Sequence, residues 1–310
     1  MNSNPNRIIH IDIAKGIGMA LIIISHIRIT QSYSQTEFFK IWDGIINSFY
    51  VPLFFILSGV FEKESKDIHR LYKRLYYLFK LICIFTVFGW ITSGIILNDW
   101  TLLHFQRQSA VWFLITLLLI TTFWNFLRIL KINPLIIIIL AIIGGGVLCH
   151  YGKSYFYLGQ SLICLPFYAI GYYLKQYICN QKFNLYRAII CASIWLISFY
   201  FFYKPQNLSL NIINQNLLTF YVTAIAGSFV IIEISKILKC KILSRYGLYS
   251  LAPMLSQLPF VWITAKYILP NSTYQYIIIA IIIFFFTYLS IPIFINKKYN
   301  IFKWRLKFYK

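Results

Sequence analysis

Negative charge is nearly missing from this chain, whose 310 residues include eight Asp and Glu against 29 Lys and Arg. Charge of any kind is scarce at 12%, whereas 59% of residues are hydrophobic and the mean hydropathy is +0.69. A soluble chain of this length would lack the polar surface to cover such a core, so the composition indicates a polytopic membrane protein. Apolar segments of about ten residues with strict alternation are also absent, which excludes a membrane β-barrel. No small-residue cleavage site follows the first apolar stretch, which therefore reads as a retained helix and not a signal peptide. The six cysteines (Cys83, Cys149, Cys164, Cys179, Cys191 and Cys240) have no metal-like spacing. They read as small buried hydrophobes without a disulfide framework. The five histidines are scattered, so no metal site is expected. The run "GGG" at 144–146 has no Lys-Ser/Thr after it and reads as close helix packing, not a phosphate loop. Internal repeats, linkers and long soluble loops are missing too. Residues 1–310 read as a single integral-membrane domain.

What is there is a series of apolar stretches near the ~20 residues that span a bilayer. They fall at roughly 9–30, 45–61, 76–97, 110–130, 134–150, 156–174, 187–203, 217–238, 248–268 and 276–295. The expected fold is all-α, with about ten transmembrane helices. The net charge of +21 does not mark a nucleic-acid partner, because its distribution follows the membrane. With both termini in the cytoplasm, only Arg28, Lys40, Arg107, Lys153, Lys204 and Lys266 fall outside, leaving 23 of the 29 basic residues inside. That is a strong positive-inside bias, and it also attracts anionic lipid. The expected location is a bacterial cytoplasmic (inner) membrane.

The first stretch, "IIHIDIAKGIGMALIIISHIRI", carries groups that a simple anchor does not need. At about 100° per residue, the 11-residue step from Lys15 to His26 is three turns plus roughly 20°. Asp12 falls about 60° from Lys15, so all three share one stripe of one helix. Ionisable groups at membrane depth are costly and point to function. The competing reading pairs Asp12 with Lys15 at i,i+3 and leaves His26 among headgroups.

Further segments follow in order. They are "SFYVPLFFILSGVFEKES", the basic "HRLYKRLYYLFK", "AVWFLITLLLI", "CLPFYAIGYYLK" and "LSRYGLYSLAPMLSQLPF". Together with the first helix, this set resembles the membrane acyltransferase 3 family, closest to its sugar O-acetylase branch (fucose 4-O-acetylase-like). The resemblance runs from Arg7 to about Pro259, and the chain is expected to be the bare membrane domain. It implies acetyl transfer from cytoplasmic acetyl-CoA to a hydroxyl of a surface polysaccharide or its lipid-linked precursor. Acetyl-CoA is then a donor substrate, and no permanently bound cofactor is implied. The family's pattern of a basic residue ten positions before a histidine falls on Lys15 and His26. Lys15 lies about 16 Å from His26 along the helix axis, comparable with a pantetheine arm. Donor phosphates at Lys15 would thus present the thioester near His26, whose imidazole suits the general base. Asp12 is the second candidate base on the stripe.

Arg70, Lys73 and Arg74 stand where the family has a basic motif and are candidate contacts for the CoA phosphates. The positive-inside rule alone also accounts for them. Ser58 and Gly59 permit close approach of a ligand or, more commonly, a helix. Trp112 either lines the acceptor path or anchors at the interface. Glu233, close to Lys236, is expected to snorkel to the inner surface. Two positions depart from the branch. Tyr50 and Gln257 stand where it has histidines, and both are assigned to orienting the acceptor, since neither is a base at neutral pH. His26 then carries the acid–base work alone. The alternatives are a non-catalytic paralogue, or a flippase of lipid-linked saccharide, against which the missing repeats and the few Pro- or Gly-broken helix pairs count.

Overall fold

The computed structural model describes residues 7–62, 68–100, 111–152 and 155–295. Among them, the only strands are Gln206–Asn207 and Ile212–Ile213, an antiparallel pair within one loop. The apolar runs form α1 (Ile9–His26), α2 (Glu37–Asn47), α3 (Tyr50–Val60), α4 (Ile68–Leu97), α5 (Val111–Ile129) and α6 (Pro134–His150). They continue as α7 (Leu158–Tyr173), α8 (Leu185–Phe202), α9 (Leu217–Ile237), α10 (Lys241–Leu248), α11 (Leu251–Tyr267) and α12 (Thr273–Ile295). Seven segments are long and apolar enough to cross a membrane: α1, α2 with α3, α4, α5, α8, α9 and α12. The other three expected spans are helices of 17, 16 and 17 residues, α6, α7 and α11. At ~1.5 Å per residue they reach about 25 Å, short of the ~30 Å hydrocarbon core. Bilayer-length helices therefore number seven among the described residues, where the sequence led to about ten.

Two expected spans are broken, and proline explains both. The segment expected at 45–61 bends at Phe49, whose φ of −144° and ψ of −15° are not helical. The segment at 248–268 breaks at Tyr249 and Ser250, between α10 and α11. Pro52 and Pro253 each sit third in the new helix, where the missing N–H costs nothing. Had either helix continued backwards, the ring would meet the carbonyl four residues earlier, at Ser48 or Tyr249. By contrast α4 starts at Ile68, well before the expected 76, so the basic stretch is helical.

Burial sorts centre from rim. In the α2–α3 segment 67% of the spanning window is buried, against 6% in α8. The exposed Ile189, Ile190, Leu196 and Phe201 of α8 are what lipid as solvent favours. The packing partners run α1 to α3, α3 to α7, α7 to α5, α5 to α4, α4 to α11 and α11 back to α1. This closed circuit surrounds the site.

Bare glycines set two crossings, that of α10 on α1 beside this circuit and that of α3 on α7 within it. A Cβ on Gly247 of α10 would collide with the carbonyl oxygen of Asp12, and one on Gly16 with that of Leu243. Gly59 and Gly171 meet the carbonyls of Tyr168 and Ile56 across the α3–α7 crossing in the same way. Such backbone contact is the main route to tight association in lipid, where apolar burial drives little. Within 144–146, a Cβ on Gly145 would sit 2.9 Å from the Ile163 nitrogen, so the triplet packs α6 on α7. Of the six cysteines only Cys164 is buried, and Cys83 is exposed on α4, which corrects the expectation that all are interior.

Candidate active site

A cavity of 220 Å³ lies inside the circuit, walled by α1, α3, α4, α5 and α11. Helix α1 contributes Lys15, Met19, Ile22 and His26, spaced i, i+4, i+7, i+11 along one face. Opposite them stand Tyr50, Phe54 and Ser58 of α3, Arg74 and Tyr77 of α4, Trp112 of α5, and Met254 and Gln257 of α11. Both Lys15 and His26 line this interior.

Cations gather at one end. Lys15 is 7% exposed, and its Nζ lies 4.2 Å from the centre of the Phe61 ring. That cation–π contact helps keep an ammonium in an otherwise apolar wall. Arg74 comes from the early turns of α4 and donates from Nη1 to Glu62. Glu62 is itself 5% exposed and accepts from the Tyr168 hydroxyl and, at 3.2 Å, from Asn125 Nδ2. Ser58 donates to the Phe54 carbonyl at 2.7 Å, so its proton stays on its own helix while its oxygen faces the cavity.

At the other end stand His26, Gln257 and Tyr50. His26 Nδ1 and Gln257 Oε1 are buried without a hydrogen-bond partner, and the Gln257 amide lies beside the imidazole. Orphaned buried polar atoms cost about 1–3 kcal/mol each, and these two belong to residues that line the cavity. Tyr50 opens α3 directly after the proline-induced bend, with its hydroxyl beside Ser25. Trp112 is 7% exposed and stacks edge-on against Phe113, so it is a cavity wall and not an interfacial anchor.

An apolar cavity with two cations at one end and an imidazole at the other can hold an anionic donor while activating a hydroxyl. The sequence model of one family, described as an acyltransferase domain, matches residues 8–295, nearly the whole chain. The chain belongs to the acyltransferase 3 family. Neither the curated proteins nor the solved structures contain a significant match.

The acyltransferase gathers seven of the residues singled out from its sequence into one cavity: Lys15, His26, Tyr50, Ser58, Arg74, Trp112 and Gln257. Two others, Asp12 and Lys73, do not join them. Asp12 is fully buried but lies outside the cavity lining, one turn below Lys15, where α10 crosses. It accepts from Arg7 Nε at 2.7 Å, and Arg7 Nη2 reaches Ser244 Oγ of α10 at 2.7 Å. Its carboxylate therefore ties the start of α1 to α10, and the structure gives it no access to a substrate proton at His26. The angle on the stripe was right but the height was not. Lys73 is exposed on the far side of α4 and does not reach the cavity, and the Arg70 side chain lies outside the described residues. Glu233 is also corrected. It does not snorkel but is 1% exposed, paired with Lys236 at 2.8 Å and Arg187 at 3.3 Å. The Asn184 N–H adds a further bond at 3.2 Å, so Glu233 is neutralised where it stands.

Sequence reasoning missed Glu62. Its one visible signal is an acid in an acid-poor chain, at the end of the apolar run "VPLFFILSGVF". Its partners Asn125 and Tyr168 carry no such signal.

Proposed function

We propose that this acyltransferase moves the acetyl group of acetyl-CoA to a hydroxyl of a sugar in a surface polysaccharide or its lipid-linked precursor. The observation that carries the reading is the pairing of Lys15 and Arg74 with His26 at opposite ends of one cavity. Lys15 and Arg74 offer the phosphates of CoA two cations, and the pantetheine arm follows α1 for about 16 Å to His26. The His26 imidazole takes the proton of the acceptor hydroxyl as its oxygen attacks the thioester carbonyl. The tetrahedral adduct collapses by breaking the C–S bond. The departing CoA thiolate then takes the proton from the imidazolium, leaving an ester and free CoA. Gln257 and Tyr50 hold the acceptor by hydrogen bonds, since neither accepts a proton at neutral pH. The likeness to sugar O-acetylases supports the acceptor class.

The test is mass spectrometry of surface glycan from cells with and without the protein. A glycan that loses acetyl units while keeping its sugar backbone is the expected result. Loss of the whole glycan would indicate export instead and overturn the proposal.

The proposed orientation puts both termini on the cytoplasmic side of a bacterial inner membrane, as the concentration of Lys and Arg favours. Reporter fusions after Lys310 and within 204–216 should then report opposite sides. If both report the same side, the Lys15 end no longer faces the cytoplasm together with the C-terminus.

A further inference from the structure

We propose that Glu62 is a positioning residue for the donor: it holds the Arg74 guanidinium in the orientation that binds the phosphates of CoA. The inference rests on the donor-binding reading of Arg74 above and concerns a residue that the reading does not use.

Glu62 follows α3 and sits where α3, α4, α5 and α7 come together. Few carboxylates in this chain are so enclosed. Arg74 of α4, Tyr168 of α7 and Asn125 of α5 all donate to it, one from each neighbouring helix. An ion pair needed for packing alone has no reason to face a ligand cavity, yet Arg74 lines it together with Lys15 and Ser58. A guanidinium carries its donors in a rigid planar fork, so fixing Nη1 on a carboxylate fixes the direction of the rest. The carboxylate is itself held by a phenol and an amide, which removes its freedom to swing. A flexible arginine would lose rotamer entropy on meeting a phosphate, whereas one held in advance loses little. The design has a cost, because the carboxylate also repels the phosphate. The sign of its net effect is therefore the quantity to measure.

The experiment is calorimetric titration of CoA into the purified full chain in nanodiscs, for Glu62→Gln, Glu62→Asp, Arg74→Ala and the Glu62→Gln/Arg74→Ala double variant. Glu62→Gln should weaken CoA binding about tenfold, the order expected for losing one hydrogen bond to a charged group. Glu62→Asp keeps the charge but draws the carboxylate back by one methylene. It should weaken binding as well, and it serves in place of the glutamine variant if that variant fails to fold. The double variant should bind no more weakly than Arg74→Ala alone, because Glu62 acts through Arg74. A purely structural Glu62 would lower the melting temperature and leave CoA affinity unchanged, which overturns the inference. Tighter binding by either Glu62 variant also overturns it, since Glu62 would then be a competitor for Arg74. If Arg74→Ala itself binds CoA normally, the donor reading fails and takes the inference with it. If Arg74→Ala is weak and the Glu62 variants are normal, only the inference falls.

Discussion

Changing His26 to glutamine should reduce acyl transfer by about 10²–10⁴-fold, the usual worth of a general base, while the protein still reaches the membrane. Glutamine keeps a side chain of similar reach with hydrogen-bonding capacity, so the cavity wall between Ile22 and Gln257 stays filled. What it removes is an unprotonated ring nitrogen able to take up the hydroxyl proton as the oxygen attacks. Because the deleted property acts in the transition state, kcat and kcat/KM should fall together while CoA binding is unchanged. Trp112→Phe is the comparison, since it alters the same cavity without touching proton transfer, and its loss should be far smaller. The measurement is acetyl release from radiolabelled acetyl-CoA into glycan, normalised to protein in the membrane. Near-normal transfer by the glutamine variant would make His26 an orienting group. The cavity would then hold no base among its described residues, because Asp12 is committed to Arg7 below it.

Gly247→Ala should be among the most damaging single-methyl changes at the described glycines. The added Cβ would collide with the carbonyl oxygen of Asp12 and lie 2.5 Å from the Gly16 nitrogen. Neither is the end of a flexible side chain, so the helices themselves must part. Overpacking of this sort costs about 1–3 kcal/mol and sometimes more. Displacing α10 also moves α1, which carries Lys15 and His26, so surviving protein should transfer acyl groups poorly. Gly144→Ala is the control, because its Cβ would meet only the Leu162 Cδ1 atom at 3.3 Å. Thermal unfolding in detergent should separate the two, with Gly247→Ala markedly less stable and Gly144→Ala close to wild type. Equal melting temperatures would show that the crossing of α1 and α10 is loose.

Much of the cavity was legible because helical geometry is regular. Lys15 and His26 share a face for the simple reason that eleven residues are nearly three turns, and no tertiary detail can change that. Tyr50, Ser58, Trp112 and Gln257 were reached through family-like motifs, which encode shared packing that periodicity does not show. Asp12 was misread because angle around a helix is visible in sequence, whereas height relative to a crossing helix is not. The breaks before Pro52 and Pro253 were visible in principle, but an apolar run hides a bend when only its hydropathy is read. Glu62 and Glu233 were hardest. Glu62 is held by residues from three other helices, and Glu233, though beside Lys236 in sequence, is also paired with Arg187 of α8; such partnerships between helices exist only once they have packed.

Both ends of the proposed reaction path stand on one unbroken helix, and this makes α1 a ruler. The depth at which the thioester meets its base is set by backbone hydrogen bonds and not by loops or side-chain reach. In the spanning stretch Ile9–His26, Lys15 lies about 9 Å in from the first residue and His26 is the last, which places that meeting at the far end of the span. Hydrolysis of the thioester is the reaction that competes with transfer. In soluble enzymes a lid must close to exclude solvent. Here the enclosure is built from the helices themselves, α1, α3, α4, α5 and α11, which wall the cavity on all the sides that its lining defines.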